Sequence, residues 1–116
     1  MDREGIINNF TPNEINDYIQ TNHNIKDYMI IDLRSPANCR KNRSSNALNI
    51  NYNDENFEIE LEKLDRNRVY LIYCSWDAKS NIASEMMADL GFAKIIRMIG
   101  GISAWHKDDF LLEHDE

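Results

Sequence analysis

Val69-Tyr70-Leu71-Ile72-Tyr73-Cys74-Ser75-Trp76-Asp77-Ala78-Lys79-Ser80 is the stretch whose reading decides the fold. A run of β-branched and aromatic residues ends at a cysteine, and small or polar residues follow. Ile82, Ala83, Met86, Met87 and Leu90 then recur at helical spacing until Gly91. The pattern predicts a strand, a tight loop and a helix, with the Cys74 thiol at the carboxyl end of the strand. A loop entering a helix gathers N–H groups that lack intrahelical partners. With the positive end of the helix dipole they form a cradle for an anion. A thiol at its edge is favoured as the thiolate, the nucleophilic form. The plain alternative is a buried structural cysteine, because cysteine is a common core residue.

Working outward, 116 residues suffice for one domain with one core. A hydrophobic content of 42% with 28% charged residues fits a soluble globular domain. No apolar run approaches the length of a membrane span. Met1-Asp2-Arg3-Glu4-Gly5 shows no basic and apolar leader, and two cysteines are too few for a disulfide framework. These features lead us to expect a cytoplasmic protein. A net charge of -7 argues against broad nucleic-acid binding, and it places an anion cradle on an anionic chain.

Towards the N-terminus, residues 1–8 read as a lead-in expected to fray, with Ile6 and Ile7 on an edge strand. Thr11-Pro12-Asn13-Glu14 is a capping box with proline at the first helical position, opening a helix that carries Ile15, Tyr18 and Ile19. His23 falls in the polar turn after it and reads as solvated. Tyr28-Met29-Ile30-Ile31-Asp32-Leu33 has the near-continuous apolar character of a central parallel strand. Asp32 and Arg34 stand at its carboxyl end, and Pro36 starts a short helical turn. From Arg34 to Arg43 the chain carries Arg34, Arg40, Lys41 and Arg43 with no acid. Asn46-Ala47-Leu48-Asn49-Ile50 reads as a short strand. Asp54 to Leu64 reads as an amphipathic helix or pair of helical turns, with Asp54 as a cap. Beyond the central helix, Gly91-Phe92 supplies a C-cap, Lys94 to Ile99 the next strand, Gly100-Gly101 a sharp turn and Ile102 to Trp105 a short helix. Residues 113–116 form an acidic tail expected to fray. Alternating strands and helices make an α/β domain with a mostly parallel sheet, whose sites form at the carboxyl ends of strands. Cys74, Arg34 and Gly100 all fall at such ends.

These residues together resemble a single-domain rhodanese, the sulfurtransferase fold. The matching pieces are Ile31-Asp32-Leu33-Arg34-Ser35-Pro36, Ala47-Leu48-Asn49-Ile50, Tyr73-Cys74 with its loop to Ser80, Gly91-Phe92, and Gly100-Gly101-Ile102-Ser103-Ala104-Trp105. The resemblance runs from about Thr11 to Trp105. It implies a three-layer domain, 1–116, with a central, mostly parallel five-stranded sheet flanked by helices. It also implies that Cys74 accepts a sulfane sulfur, becomes a persulfide and passes the sulfur to a nucleophile. Ser75, Trp76, Asp77, Ala78 and Lys79 would form the substrate cradle, with Ser80 and Arg34 beside it. Lys79 stands where the family usually carries arginine, and Ser80 where it carries serine or threonine. A loop of six residues from Cys74 to Lys79 goes with sulfur transfer in this family. The related phosphatases and arsenate reductases have one residue more.

The chain also departs from the family. Ser75 replaces a frequent arginine, Asp77 a frequent glycine, and Asn42-Arg43-Ser44-Ser45-Asn46 the usual glycine- and histidine-containing turn. Lys79 is a point charge without the fork of arginine, and the loop sums to no net charge. We therefore expect the Asp77 carboxylate to face the thiolate and to disfavour thiosulfate relative to a neutral or protein-bound persulfide. The basic stretch is expected to lend the cleft entrance a local positive potential. His106 and His114 lack metal-ligand spacing, so no metal and no cofactor are expected. Cys39 reads as a bystander, with a disulfide to Cys74 as the lesser option. Trp105 reads as core or site wall. The expected partners are a small sulfur donor or a protein that gives or takes the persulfide sulfur. Nucleic acid and membrane are not expected, and the chain is read as a monomer. A non-catalytic binding module on the same fold is the alternative function, and a phosphatase- or arsenate-reductase-like enzyme the lesser one.

Overall fold

The computed structural model describes residues 5–21, 28–41, 43–44, 47–107 and 112–113, with the backbone alone described at 41, 43–44, 105–107 and 112–113. The capping box forms as read: the Thr11 hydroxyl accepts the Glu14 N–H at 3.2 Å, and the Glu14 carboxylate accepts the Thr11 N–H at 3.1 Å. It joins strand β1 (Ile7–Phe10) to helix α1 (Pro12–Thr21). The apolar run 28–33 supplies β2 (Tyr28–Asp32), and α2 (Pro36–Lys41) follows. The Ser35 hydroxyl accepts the Asn38 N–H at 3.2 Å, which starts α2 behind Pro36. Two short strands, β3 (Arg43–Ser44) and β4 (Leu48–Asn49), lead to α3 (Phe57–Glu62). The organising stretch gives β5 (Val69–Tyr73) and α4 (Ala78–Asp89), followed by β6 (Lys94–Met98), α5 (Gly101–Lys107) and β7 (Leu112–Glu113).

Five strands form one sheet in the order β1-β6-β5-β2-β4, and every pairing in it is parallel. Side chains alternate across the sheet. Ile31, Tyr70, Ile72 and Ile95 pack with α3 and α4 through Phe57, Leu61, Ala83 and Met87. Tyr28, Ile30, Leu71, Ile96 and Met98 pack on the opposite face with Ile15 of α1 and Ile102 of α5. The sheet thus lies between two helical layers, as a parallel sheet requires.

Some boundaries move. From Ile7 the lead-in expected to fray is paired in the sheet, where β1 meets β6 from Ile7 opposite Ile95 to Phe10 opposite Met98. Glu113, read as part of a frayed tail, pairs with Arg43 in a separate two-stranded ribbon. Asp54 does not cap α3: its side chain accepts the Asn56 N–H at 2.8 Å and shapes the turn before the helix, whose N-cap is Asn56. An aspartate finds a donor two residues on as readily as at a helix start. The C-cap of α4 forms as read. Gly91 has φ +93°, the Phe92 N–H reaches the Met87 carbonyl at 3.1 Å, and the Gly91 N–H reaches Ala88 at 3.1 Å. His23, His114 and residues 42, 45 and 46 lie outside the described residues, as do the side chains of Trp105 and His106.

Candidate active site

Strands β2, β5 and β6 end side by side, so the segments that leave them share one edge of the sheet. Cys74 is the first residue past β5 and is 3% exposed. Its Sγ lies 3.4 Å from the Ser80 N–H, which donates to it. Ser80 is the third residue of α4, so the sulfur accepts an N–H that the helix itself leaves unpaired. The Ser80 hydroxyl donates to the Asp77 carbonyl at 3.1 Å and secures the helix start.

The loop takes its shape from α5. The Ile102 N–H donates to the Cys74 carbonyl at 2.9 Å, and the Ser103 N–H to the Ser75 carbonyl at 3.3 Å. A trans peptide is planar, so its N–H points opposite to its carbonyl. Drawing these two carbonyls towards α5 therefore turns the Ser75 and Trp76 N–H groups the other way. This close approach needs Gly101, which has φ +62° and no Cβ; a Cβ there would overlap the carbonyl oxygens of Cys74 and Trp76. The side chains of the loop divide. Trp76 is 69% exposed, Ala78 is exposed, Ser75 and Lys79 are half-buried, and Ser80 is fully buried.

Asp77 is not placed as the sequence reading expects. Its Oδ1 accepts the Gly100 N–H at 2.8 Å and an Arg97 guanidinium N–H at 3.0 Å. The carboxylate is an ion-pair partner of β6 and the turn after it, rather than an uncompensated charge of the loop. Arg97 in turn donates through Nε to the Asn9 side chain of β1 at 2.8 Å. This corrects the electrostatic argument against thiosulfate, which assumed an unpaired Asp77.

Arg34 likewise has its partners in the core. Its Nε and Nη2 grip the Asp32 carboxylate at 3.0 and 2.7 Å, and its own N–H donates to the same carboxylate at 2.9 Å. Asp32 is fully buried and also accepts the Tyr73 hydroxyl at 2.8 Å. Burial disfavours the Arg34 charge, but the hydrogen bonds and charge of Asp32 outweigh it and raise the guanidinium pKa. The Asn49 amide donates to the Asp32 and Arg34 carbonyls at 3.0 and 2.9 Å. Together these groups brace the ends of β2 and β5 directly before Cys74. Arg34 thus contributes rigidity, and the basic stretch loses it as a source of potential at the entrance. Arg40 is exposed; the side chains of Lys41 and Arg43 lie outside the described residues. Cys39 and Cys74 are both buried, and neither is in a disulfide. Among the described residues, no group of histidine, cysteine, aspartate and glutamate side chains is arranged to hold a metal, and no helix is long and apolar enough to cross a membrane.

Sequence reasoning missed Tyr73, Asn9 and Arg97. The hydroxyl of Tyr73 was hidden in an apolar strand. Arg97 was read only as part of the strand from Lys94 to Ile99, and only the β1–β6 register places Asn9 opposite it.

A family profile described as a rhodanese-like domain matches residues 11–108. A sulfurtransferase of Allochromatium vinosum is 26% identical over 80 residues, covering 69% of this chain and 73% of the relative. A thiosulfate sulfurtransferase, GlpE, of Shewanella oneidensis is 27% identical over 82 residues, covering 71% and 79%. Among solved structures, a rhodanese-like domain from Anabaena superposes with a TM-score of 0.80 at 16% identity, covering 91% of this chain and 78% of that one. A rhodanese-like domain protein from Staphylococcus aureus gives 0.77 at 22% identity, covering 94% and 99%.

Proposed function

This chain belongs to the rhodanese-like domain family, and from that membership we propose a sulfurtransferase or persulfide carrier that works through Cys74. The observation that carries the reading is the Ser80 N–H directed at the Cys74 sulfur, at the start of a helix of 12 residues. That donor and the helix dipole favour a negative charge on sulfur. In the first step the Cys74 thiolate attacks the outer sulfur of a donor. The donor's S–S bond breaks, and its electron pair leaves with sulfite, if the donor is thiosulfate, or with a thiolate, if it is a persulfide. Cys74 then carries a persulfide whose terminal sulfur is anionic. The Ser75 and Trp76 N–H groups, turned away from α5, are suited to stabilise that charge. In the second step a thiophilic acceptor takes the outer sulfur, the new S–S bond breaks, and the thiolate returns. The donor or acceptor is a small sulfur compound or a protein, and the compartment is the cytoplasm.

Mass spectrometry of the protein after exposure to thiosulfate or to a small persulfide tests this. The expected result is a gain of one sulfur on the Cys74 peptide, lost on adding cyanide and absent from Cys74→Ser. Sulfur transfer that survives Cys74→Ser would overturn the assignment. No gain with either donor would favour a binding module on the same fold.

A further inference from the structure

Asp77 occupies the N-cap position of α4, with φ -135° and ψ -30°. Aspartate is among the strongest N-caps, and its carboxylate ordinarily accepts the N–H of the second or third helical residue. Here the third residue is Ser80, and its N–H is taken by the Cys74 sulfur instead. The Asp77 side chain makes no capping bond to its own helix. Both of its hydrogen bonds run to the neighbouring strand and turn, at Arg97 and Gly100. Two acceptors, the Asp77 carboxylate and the Cys74 sulfur, thus stand at one helix end, and the Ser80 N–H goes to the sulfur.

We propose that Arg97, with the Gly100 N–H, is a positioning residue that holds the Asp77 carboxylate off the start of α4 and reserves that end for the Cys74 sulfur. Arg97 is suited to this because it is fixed at both sides. Its Nε is anchored on Asn9 at 2.8 Å, its Nη1 faces Asp77 at 3.0 Å, and its side chain is only 13% exposed. Without the guanidinium the carboxylate loses its counter-charge. It is then free to turn back onto the Ser80 N–H, where it competes with the sulfur for the donor and repels the thiolate. The inference rests on the reading of Cys74 as the reacting thiolate but deepens it. An aspartate that would weaken the site is made harmless by a residue of β6, the strand paired directly with β5.

The test reads the thiolate without a sulfur donor, so it stands apart from whether Cys74 accepts sulfur. Alkylation of Cys74 by iodoacetamide is followed at neutral pH by mass spectrometry of its peptide in the intact, folded chain. Arg97→Gln should slow alkylation about tenfold, the scale expected when a like charge moves to within a few ångströms of an ionised group. In an Asp77→Gly background the same Arg97→Gln change should alter the rate by less than about twofold, because the competing carboxylate is gone. Arg97→Lys keeps a charge opposite Asp77 and should retain most of the native rate. An equal loss in both backgrounds would make Arg97 a structural residue only and overturn the proposal. So would a native rate in Arg97→Gln, or a loss in Arg97→Lys as deep as that in Arg97→Gln.

Discussion

Gly101 shows how one residue shapes the site from outside the loop. Its backbone is packed so closely on the Cys74 and Trp76 carbonyls that any side chain would collide with backbone, and its φ is +62°. Backbone atoms cannot swing aside as a flexible side chain does. Gly101→Ala therefore has to push the loop away from α5 or change the turn, and either move breaks the Ile102–Cys74 bond that directs the loop N–H groups. The expected outcome is a loss of more than about 1 kcal/mol in denaturant unfolding, since alanine does not suit a positive φ. A fall in Cys74 alkylation should accompany it. Native stability together with native alkylation would show that the turn accommodates a methyl group. The pair Gly100-Gly101 was legible in the sequence as a turn. What it leans against was not, because Cys74 and Gly101 are distant in sequence and meet only through the β5–β6 pairing.

At the scale of elements, the legible features were local and the illegible ones crossed the sheet. The Thr11–Glu14 capping box, Pro12 at the helix start and the Gly91-Phe92 stop each join residues within one or two turns, so the sequence contains both partners at fixed spacing. Thr11→Ala should then lower stability by about 1 kcal/mol, the usual value of such a cap. Because the capping bonds run between Thr11 and Glu14 and not to the Cys74 loop, alkylation of Cys74 at neutral pH should stay at its native rate. A stability change below a few tenths of a kcal/mol would mean that β1 and the core hold α1 without its cap. The strand–loop–helix unit around Cys74 was equally legible, down to the sulfur at the helix start. The partners of Asp77 were not: Arg97 lies 20 residues on and Asn9 a further strand away, with Asn9 and Arg97 separated by 88 positions in the sequence. Asp77 alone, without Arg97, reads as an unpaired charge in the cradle. The structure replaces that reading with a paired one.

For the whole molecule, the question is how a chain of net charge -7 admits an anionic donor. The sequence offers the basic stretch from Arg34 to Arg43 as the local exception, but the fold withdraws Arg34 into a buried pair with Asp32. Arg97 is likewise paired with Asp77. Arg40 remains exposed on α2, which leaves the carboxyl end of β2, the strand beside β5 and its Cys74. Its charge should act through the solvent as a steering field, a rate effect that salt removes. We therefore expect Arg40→Glu to slow sulfur uptake from thiosulfate by roughly two- to fourfold at an ionic strength of about 0.01 M, where the Debye length is about 30 Å. The difference should vanish near 1 M, where that length is about 3 Å. Iodoacetamide carries no charge, so alkylation of Cys74 in the same variant should show neither the loss nor its salt dependence. A slowing that persists at high salt, or that appears with iodoacetamide as well, would mean that Arg40 supports the local structure and that long-range charge does not set donor uptake.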